Sequence, residues 1–524
     1  MKGQSESAEK RIEKGARAVT VAVLLSRLLG LVREQVLAGL FGAGFQMDAY
    51  VVAYRIPNLL RDLLAEGALA SAFVTVFTQH KEKYGLSATW RLAQRALGTI
   101  LVLMGGIVLL GEVFSPELVS LLAPGFEPEA KKELAVLLTR IMFPFIACVS
   151  VSAVFSGMLN ALRVFFLPAI SSAFFNLVSV GVGVALYFWF REGTLPPITG
   201  MAVGVVLGGL SQALIQLPAL KRRGFGLSLS FAPRDPAVRE IFRLMLPMVL
   251  GLSAVQISVF LNTYFASFCG EGALSWLSYA FRVMYVPLGL FGVALSVAVL
   301  PVASAQVAQG ELPALKKTYV SSLLMAISLA LPSAVGLMVL AEPIVRLIFE
   351  HGRFNTQDTL STAKALFLFS LALPAYAATK VTTPVFYALR RPKIPMLSSF
   401  LSVGVNFLVV VSLLEALNFR AIALGTSTGI ITQALFQAGV LSFLLGGLPW
   451  GRFLSGAARL LGASCLMGLL AYGLKGVLSP LTGPLFGGGL LGAIFLCGAF
   501  YFLLVALLGP KEGLYLLRFM RRKR

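Results

Sequence analysis

The sequence predicts an all-α integral membrane protein of fourteen transmembrane helices, with two parallel six-helix repeats around a central cavity and two extra C-terminal helices. Composition, apolar runs and an internal duplication predict it. Of 524 residues, 57% are hydrophobic and 13% charged, and the mean hydropathy is +0.85. A soluble domain has an apolar share of roughly 45–50%. Apolar runs of about 20 residues, long enough to cross a bilayer core as a helix, occur fourteen times.

The chain opens at 1–17 with a polar cytoplasmic arm of mixed charge. The apolar run behind it, 18–41, is too long for a signal segment and carries arginines, so it reads as an uncleaved first helix. Further spans lie near 48–78, 92–113, 134–160, 166–190, 198–219, 238–268 and 273–306. They continue near 315–340, 357–388, 395–415, 421–445, 452–475 and 485–508. With the N-terminus in the cytoplasm, that side and its flanking helix ends hold 29 of the 44 Lys and Arg, and the opposite side holds seven. This asymmetry puts both termini in the cytoplasm. The net charge of +21 is therefore a mark of topology and of contact with anionic lipid, carried by Lys221-Arg222-Arg223, Arg390-Arg391 and the tail Arg521-Arg522-Lys523-Arg524. Cys148, Cys269, Cys465 and Cys497 lack metal or redox spacing and read as free core thiols. His80 and His351 lie in separate polar connections and suggest no metal site.

The duplication shows in three places. Ala161-Leu162-Arg163 with Pro168, Ser171 and Ser172 recurs, every member at the same offset, as Ala388-Leu389-Arg390 with Pro395, Ser398 and Ser399. Ala202, Gly204, Gly208, Gln212 and Gln216 recur at a slightly shorter constant offset as Ala423, Gly425, Gly429, Gln433 and Gln437. Ala53-Tyr54-Arg55 pairs with Ala280-Phe281-Arg282 at the first offset again. Helices 1–6 and 7–12 thus read as two copies in parallel orientation, a plan in which the substrate site lies at the repeat interface near the midplane. The expected domains are an arm at 1–17, an N-lobe at 18–220, a C-lobe at 221–445, and helices 13 and 14 with a basic cytoplasmic tail at 446–524. Gly200, Gly204 and Gly208 make a small-residue ladder suited to close helix packing.

Six arginines fall inside spans: Arg27, Arg33, Arg55, Arg61, Arg140 and Arg282. Each is disfavoured by about 2.5–3.5 kcal/mol at a helix centre, so such residues face a wet cavity or a partner. Arg27 and Glu34 are seven apart and share a helix face. Asp48, Arg55 and Asp62 repeat that spacing, and Glu66 extends the stripe. Cations outnumber the carboxylates of a net basic cavity, which suits an anionic and, by the fork of guanidinium donors, a phosphate-bearing cargo. The alternative is that these groups only pin helices together as internal ion pairs, Arg27 with Glu34 or Arg55 with Asp48. Arg140 has no partner that the spacing assigns.

The residues Ser26-Arg27-Leu28-Leu29-Gly30, Arg33-Glu34, Asp48-Ala49, Pro57-Asn58-Leu59-Leu60-Arg61, Ala65-Glu66-Gly67-Ala68, Ala123-Pro124-Gly125-Phe126 and Ala280-Phe281-Arg282 resemble the MurJ (MviN) family. These are lipid II flippases of the multidrug/oligosaccharidyl-lipid/polysaccharide exporter superfamily. The resemblance implies a transporter rather than an enzyme, turning lipid II from the inner to the outer leaflet of the bacterial cytoplasmic membrane for peptidoglycan synthesis. It implies that Arg27, Arg33, Arg61 and Arg282 hold the pyrophosphate and head group, and Arg55 joins them by its place on the charged stripe. Glu34, Asp48 and Glu66 would orient those arginines or change partners, and helices 13 and 14 would form a groove for the polyprenyl tail. Glu34 stands where the family often has Asp, and Phe281 where an acidic residue often precedes the arginine. Asn262, Asn406 and Thr426 match a region where some members bind a cation.

The expected mechanism is alternating access, with the two lobes rocking around the site. No cofactor is expected; the cycle would couple to the membrane potential or to a monovalent ion. The expected partners are lipid II, or a related polyprenyl-pyrophosphate lipid, and membrane lipids, with no nucleic acid, and the chain acting as a monomer. A flippase for another polyprenyl-pyrophosphate oligosaccharide shares the same chemistry. A drug antiporter would want a net acidic pocket, and a glycosyltransferase a large extramembrane acidic loop.

Overall fold

A computed structural model describes the backbone of residues 2–478 and 480–508, and their side chains except those of 2–18, 65–67, 250–252, 290–295, 297 and 508. The basic tail beyond 508 lies outside the described residues. Every regular element among the described residues is a helix. The first are α1 (Lys2–Phe41), α2 (Phe45–Leu60), a π-helical stretch (Arg61–Leu69), α3 (Ala70–Val113), α4 (Ser115–Leu122) and α5 (Glu129–Met142). Then come α6 (Phe145–Ala161), α7 (Phe166–Phe190), α8 (Thr199–Leu214), α9 (Leu217–Lys221) and α10 (Pro236–Ser267). The remainder is α11 (Ala273–Ala308), α12 (Leu312–Val339), α13 (Ala341–Phe349), α14 (Thr356–Ser370), α15 (Leu373–Ala388), α16 (Lys393–Leu417), α17 (Phe419–Leu444), α18 (Trp450–Leu478) and α19 (Gly483–Leu508).

Among the described residues nine helices are long and apolar enough to cross a bilayer, or eleven if two bent pairs each make one span. The chain is an all-helical, multi-pass membrane protein. The span expected near 48–78 is built of α2, the π-helical stretch and the start of α3. Pro57 sits inside α2, one turn before the register changes; it removes an amide from the helical ladder, and kinks gather at such residues and at π turns. Between 78 and 92 the chain stays helical except at Gly85, whose φ of 76° breaks the helix where a side chain would be strained.

The chain packs as two compact units, Met1–Leu274 and Ser275–Arg524. The packing boundary falls later than the repeat boundary expected at 220 because the connector 222–235 and α10 pack on the first unit. Phe225 lies 5.4 Å from the Trp90 ring. Gln94 donates to the Gly226 carbonyl at 2.7 Å, and Arg95 meets Asp235 at 2.7 Å. Asp235 also caps α10 by accepting from the amides of Ala237 and Val238, satisfying donors that a helix start leaves open. α10 then packs on α3 and the π-helical stretch and bends by 55° between Pro236–Val249 and Ser253–Ser267.

In the first unit α7 and α8 pack through the glycine ladder. A Cβ on Gly204 would stand 2.4 Å from the Ser179 carbonyl oxygen, so only hydrogen fits there. In the second unit α16 and α17 pack likewise, with a Cβ on Gly425 falling 3.0 Å from the Asn406 carbonyl oxygen and 2.6 Å from its Oδ1. Lipid is as apolar as the side chains, so close backbone approach replaces hydrophobic drive between such helices. The C-terminal pair is joined to the second unit: α18 packs on α12 and α19 on α18. Tyr501 donates to the Ser328 carbonyl at 2.6 Å, and Lys475 pairs with Glu342 at 2.9 Å. The four cysteines are free thiols, but Cys465 is exposed on α18 rather than in the core.

Candidate functional site

The charged residues of α1, α2 and the π-helical stretch divide into a buried set and an open set. Arg33 and Glu34 are 6% and 2% exposed. Arg33 Nη2 meets Glu34 Oε1 at 3.0 Å, and its guanidinium lies 5.6 Å from the Tyr54 ring and 5.5 Å from the Phe175 ring. A carboxylate and two aromatic faces thus compensate a desolvated cation. Glu34 therefore engages its chain neighbour, and the seven-residue spacing to Arg27 does not identify its partner. Arg27 is exposed, with no ion pair among the described residues.

Asp48 is wholly buried at the start of α2. Its Oδ2 accepts from Lys131 Nζ at 2.9 Å and from the Gly272 amide at 2.8 Å, and Lys131 lies 4.5 Å from the Phe126 ring centroid. Beside it, Glu271 Oε1 accepts from the Phe45 amide at 2.7 Å. Asp48 therefore ties α2 to the start of α5 and to the turn before α11. This adds a helix-tying contact to the carboxylate expected to orient arginines, and it draws Lys131 out of the loop in which the sequence leaves it. Nothing local joins residues 83 positions apart.

Arg55 donates to the Thr263 hydroxyl of α10. Arg61 opens the π-helical stretch, where Nη2 and Nε bind Asp62 Oδ1 at 2.8 and 3.1 Å. The Arg61 side chain is 21% exposed and that of Asp62 33%. Asn58 and Gln256 approach the other Asp62 oxygen at 3.3 and 3.5 Å. Asp62 is thus a local partner of Arg61, and the i to i+5 register after it breaks the stripe drawn toward Glu66. The Glu66 side chain lies outside the described residues. π turns gather at functional sites, and no composition signal in Arg61–Leu69 announces one.

Arg140 caps neighbouring helix ends, donating from Nε to the Glu112 carbonyl at 3.2 Å and to Ser115 Oγ at 2.9 Å. Arg282 is half-buried on α11 in the second unit. The residue before it, Phe281, packs edge-on against Phe369 at 5.5 Å. Asn406 and Thr426 lie on the packed pair α16 and α17, where Thr426 donates to the Ile422 carbonyl at 2.9 Å. Asn262 belongs to α10 of the first unit. Among the described residues no three His, Cys, Asp or Glu side chains gather as a metal site would need.

The sequence profile described as "Lipid II flippase MurJ" matches residues 37–486. A "Probable lipid II flippase MurJ" of Vibrio cholerae serotype O1 is 33% identical over 441 residues, 82% of this chain and 83% of that protein. One of Bdellovibrio bacteriovorus is 34% identical over 88% of each chain. The "Lipid II flippase MurJ" of Burkholderia cenocepacia is 34% identical over 74% of this chain and 75% of its own. Among solved structures, "Lipid II flippase MurJ, inward closed conformation" superposes with a TM-score of 0.77 at 24% identity, covering 93% of this chain and 98% of that one. An inward-facing MATE-family multidrug transporter shares the fold more distantly, with a TM-score of 0.69 at 16% identity over 80% of this chain and 94% of its own. The profile and the relatives together cover most of the chain, and it belongs to the lipid II flippase MurJ family.

Proposed function

We propose that the chain is a flippase that carries lipid II from the inner to the outer leaflet of the bacterial cytoplasmic membrane, with both termini in the cytoplasm. The observation that carries the reading is Arg27. It is an exposed guanidinium on α1, within the apolar run expected to span at 18–41, with no ion pair among the described residues, and facing lipid at a helix centre would cost about 2.5–3.5 kcal/mol. A hydrated cavity removes that cost, and a pyrophosphate is an anion whose oxygens suit the guanidinium. Arg61, Arg55 and Arg282 join Arg27 as head-group ligands. Arg33, fixed by Glu34 and two rings, shapes the wall and adds positive potential rather than reaching out.

The architecture we infer is fourteen spans in two six-helix repeats plus a C-terminal pair. Element bounds support it: shifted by the offset that carries Arg163 onto Arg390, the helices α4, α5, α6 and α7 match α13, α14, α15 and α16 to within one position at each end. Details agree. Arg163 and Arg390 both take left-handed φ, 60° and 55°. Gln216 joins Ser156 at 2.9 Å, as Gln437 joins Thr383 at 3.4 Å. In this reading the lobes alternate around the arginines, α18 and α19 guide the polyprenyl tail, and the potential or a monovalent ion biases the cycle. Asp48 stabilises the fold near α2 and does not exchange arginines.

Head-group transfer measured in proteoliposomes tests the site. Arg27→Ala and Arg282→Ala are expected to lose at least about tenfold in lipid II translocation, the effect of one charge-assisted contact, at unchanged membrane levels. Wild-type rates in both would remove these residues from the site. Transport of a different polyprenyl-pyrophosphate glycan in preference to lipid II would favour the related flippase.

A further inference from the structure

At the junction of α17 and α18 lies an open groove of about 710 Å³, lined by Leu435, Gly439, Ser442, Phe443, Gly447 and Trp450 among others. Leu435 is 69% exposed and Phe443 85%. Its floor is held firmly. α17 ends on two glycines, with the Gly447 amide bonded to the Ser442 carbonyl at 2.8 Å and Gly446 at φ 65°, a closure that left-handed glycine permits. No atom lies within 4 Å of where a Cβ would stand on Gly439, Gly446 or Gly447, so the groove is open along its length. The Trp450 indole donates to Ser442 Oγ at 3.0 Å and meets the Phe453 ring edge-on at 5.7 Å. A fixed indole, apolar on its face and polar at its edge, suits the membrane–water boundary.

The rim is basic. Lys316 reaches the Gly446 carbonyl at 3.4 Å from α12, with Lys317 beside it in sequence. Residues 305–320 and 435–460 together carry Lys316, Lys317, Arg452 and Arg459 against a single carboxylate, Glu311. An apolar channel ending at a fixed indole beside the Lys316 amine, with Lys317, Arg452 and Arg459 near in sequence, complements one kind of membrane molecule. We infer that this groove is a binding site for an anionic phospholipid, its acyl chain along Leu435 and Phe443 and its phosphate near Lys316 and Lys317. A zwitterionic lipid would fill the channel, but its own headgroup cation offsets the phosphate, so it gains less from the rim. The site needs only the chain's membrane setting and stands apart from the lipid II reading, so each can fail without the other.

The test is quenching of Trp450 in the full-length protein, reconstituted in vesicles of phosphatidylcholine with increasing fractions of phospholipid brominated on the upper acyl carbons. The emission lost in Trp450→Phe isolates the Trp450 signal. Brominated phosphatidylglycerol is expected to half-quench that signal at about one fifth the mole fraction that brominated phosphatidylcholine needs, or less, since each basic residue near a membrane enriches anionic lipid about fivefold. Lys316→Ala with Lys317→Ala should bring the two lipids together while leaving thermal stability unchanged. Equal quenching by both lipids in the wild type overturns the site, as does no quenching by either. A preference that survives the double substitution overturns it too.

Discussion

Lys131 and Asp48 meet with both side chains almost wholly out of solvent, so each is the other's compensation for desolvation. Removing one leaves a buried charge unpaired, which costs about 3–5 kcal/mol, whereas removing both together costs far less. Lys131→Met is therefore expected to lower the thermal midpoint in detergent clearly, and Lys131→Met with Asp48→Asn to recover much of it. A single variant as stable as the wild type would contradict the pairing. Burial pushes the Cys269 thiol up to about 12, so it stays protonated at neutral pH. Maleimide labelling at pH 7 should pass it by; ready labelling there would show that the 268–272 connection opens. At this scale residue types are legible in the sequence but few partners are. Arg27 reads as a charge needing water, yet Glu34 goes to the adjacent Arg33 rather than to Arg27, and Asp48 goes to Lys131 and Arg140 to a helix end, partners whose distance along the chain leaves no periodic trace.

At the scale of elements, helices are legible because a bilayer demands long apolar runs, and the glycine ladder because lipid-embedded helices approach through small residues. The π-helical stretch Arg61–Leu69 and the connector along α3 are not, since one is a change of hydrogen-bond register and the other depends on contacts such as Trp90 with Phe225. Gly204 and Gly425 both sit at close helix contacts: a Cβ would stand 2.4 Å from the Ser179 carbonyl oxygen at Gly204, and 2.6 Å from the Asn406 side-chain Oδ1 at Gly425. Gly204→Ala and Gly425→Ala should each destabilise by about 1–3 kcal/mol, the usual cost of overpacking, seen as matching falls in thermal midpoint. A loss at one position and none at the other would count against equivalent packing of α7 on α8 and of α16 on α17.

For the whole molecule, the membership of the family and the all-helical, membrane-spanning fold leave one physical question: what arginines placed among apolar helices do with charge. If the arginines carry a pyrophosphate through the membrane field, moving one charge through 100 mV is worth about 2.3 kcal/mol, so translocation in proteoliposomes should change severalfold when a potassium–valinomycin potential is imposed. A rate indifferent to potential would mean the charges move little. The most direct measurement is rescue of a bacterial strain depleted of its own lipid II flippase, scored as growth together with lipid II reaching the outer leaflet. The wild-type chain is expected to rescue and Arg27→Ala, present at equal membrane level, to fail. A wild-type chain that inserts but does not rescue, or an Arg27→Ala chain that rescues fully, would contradict it.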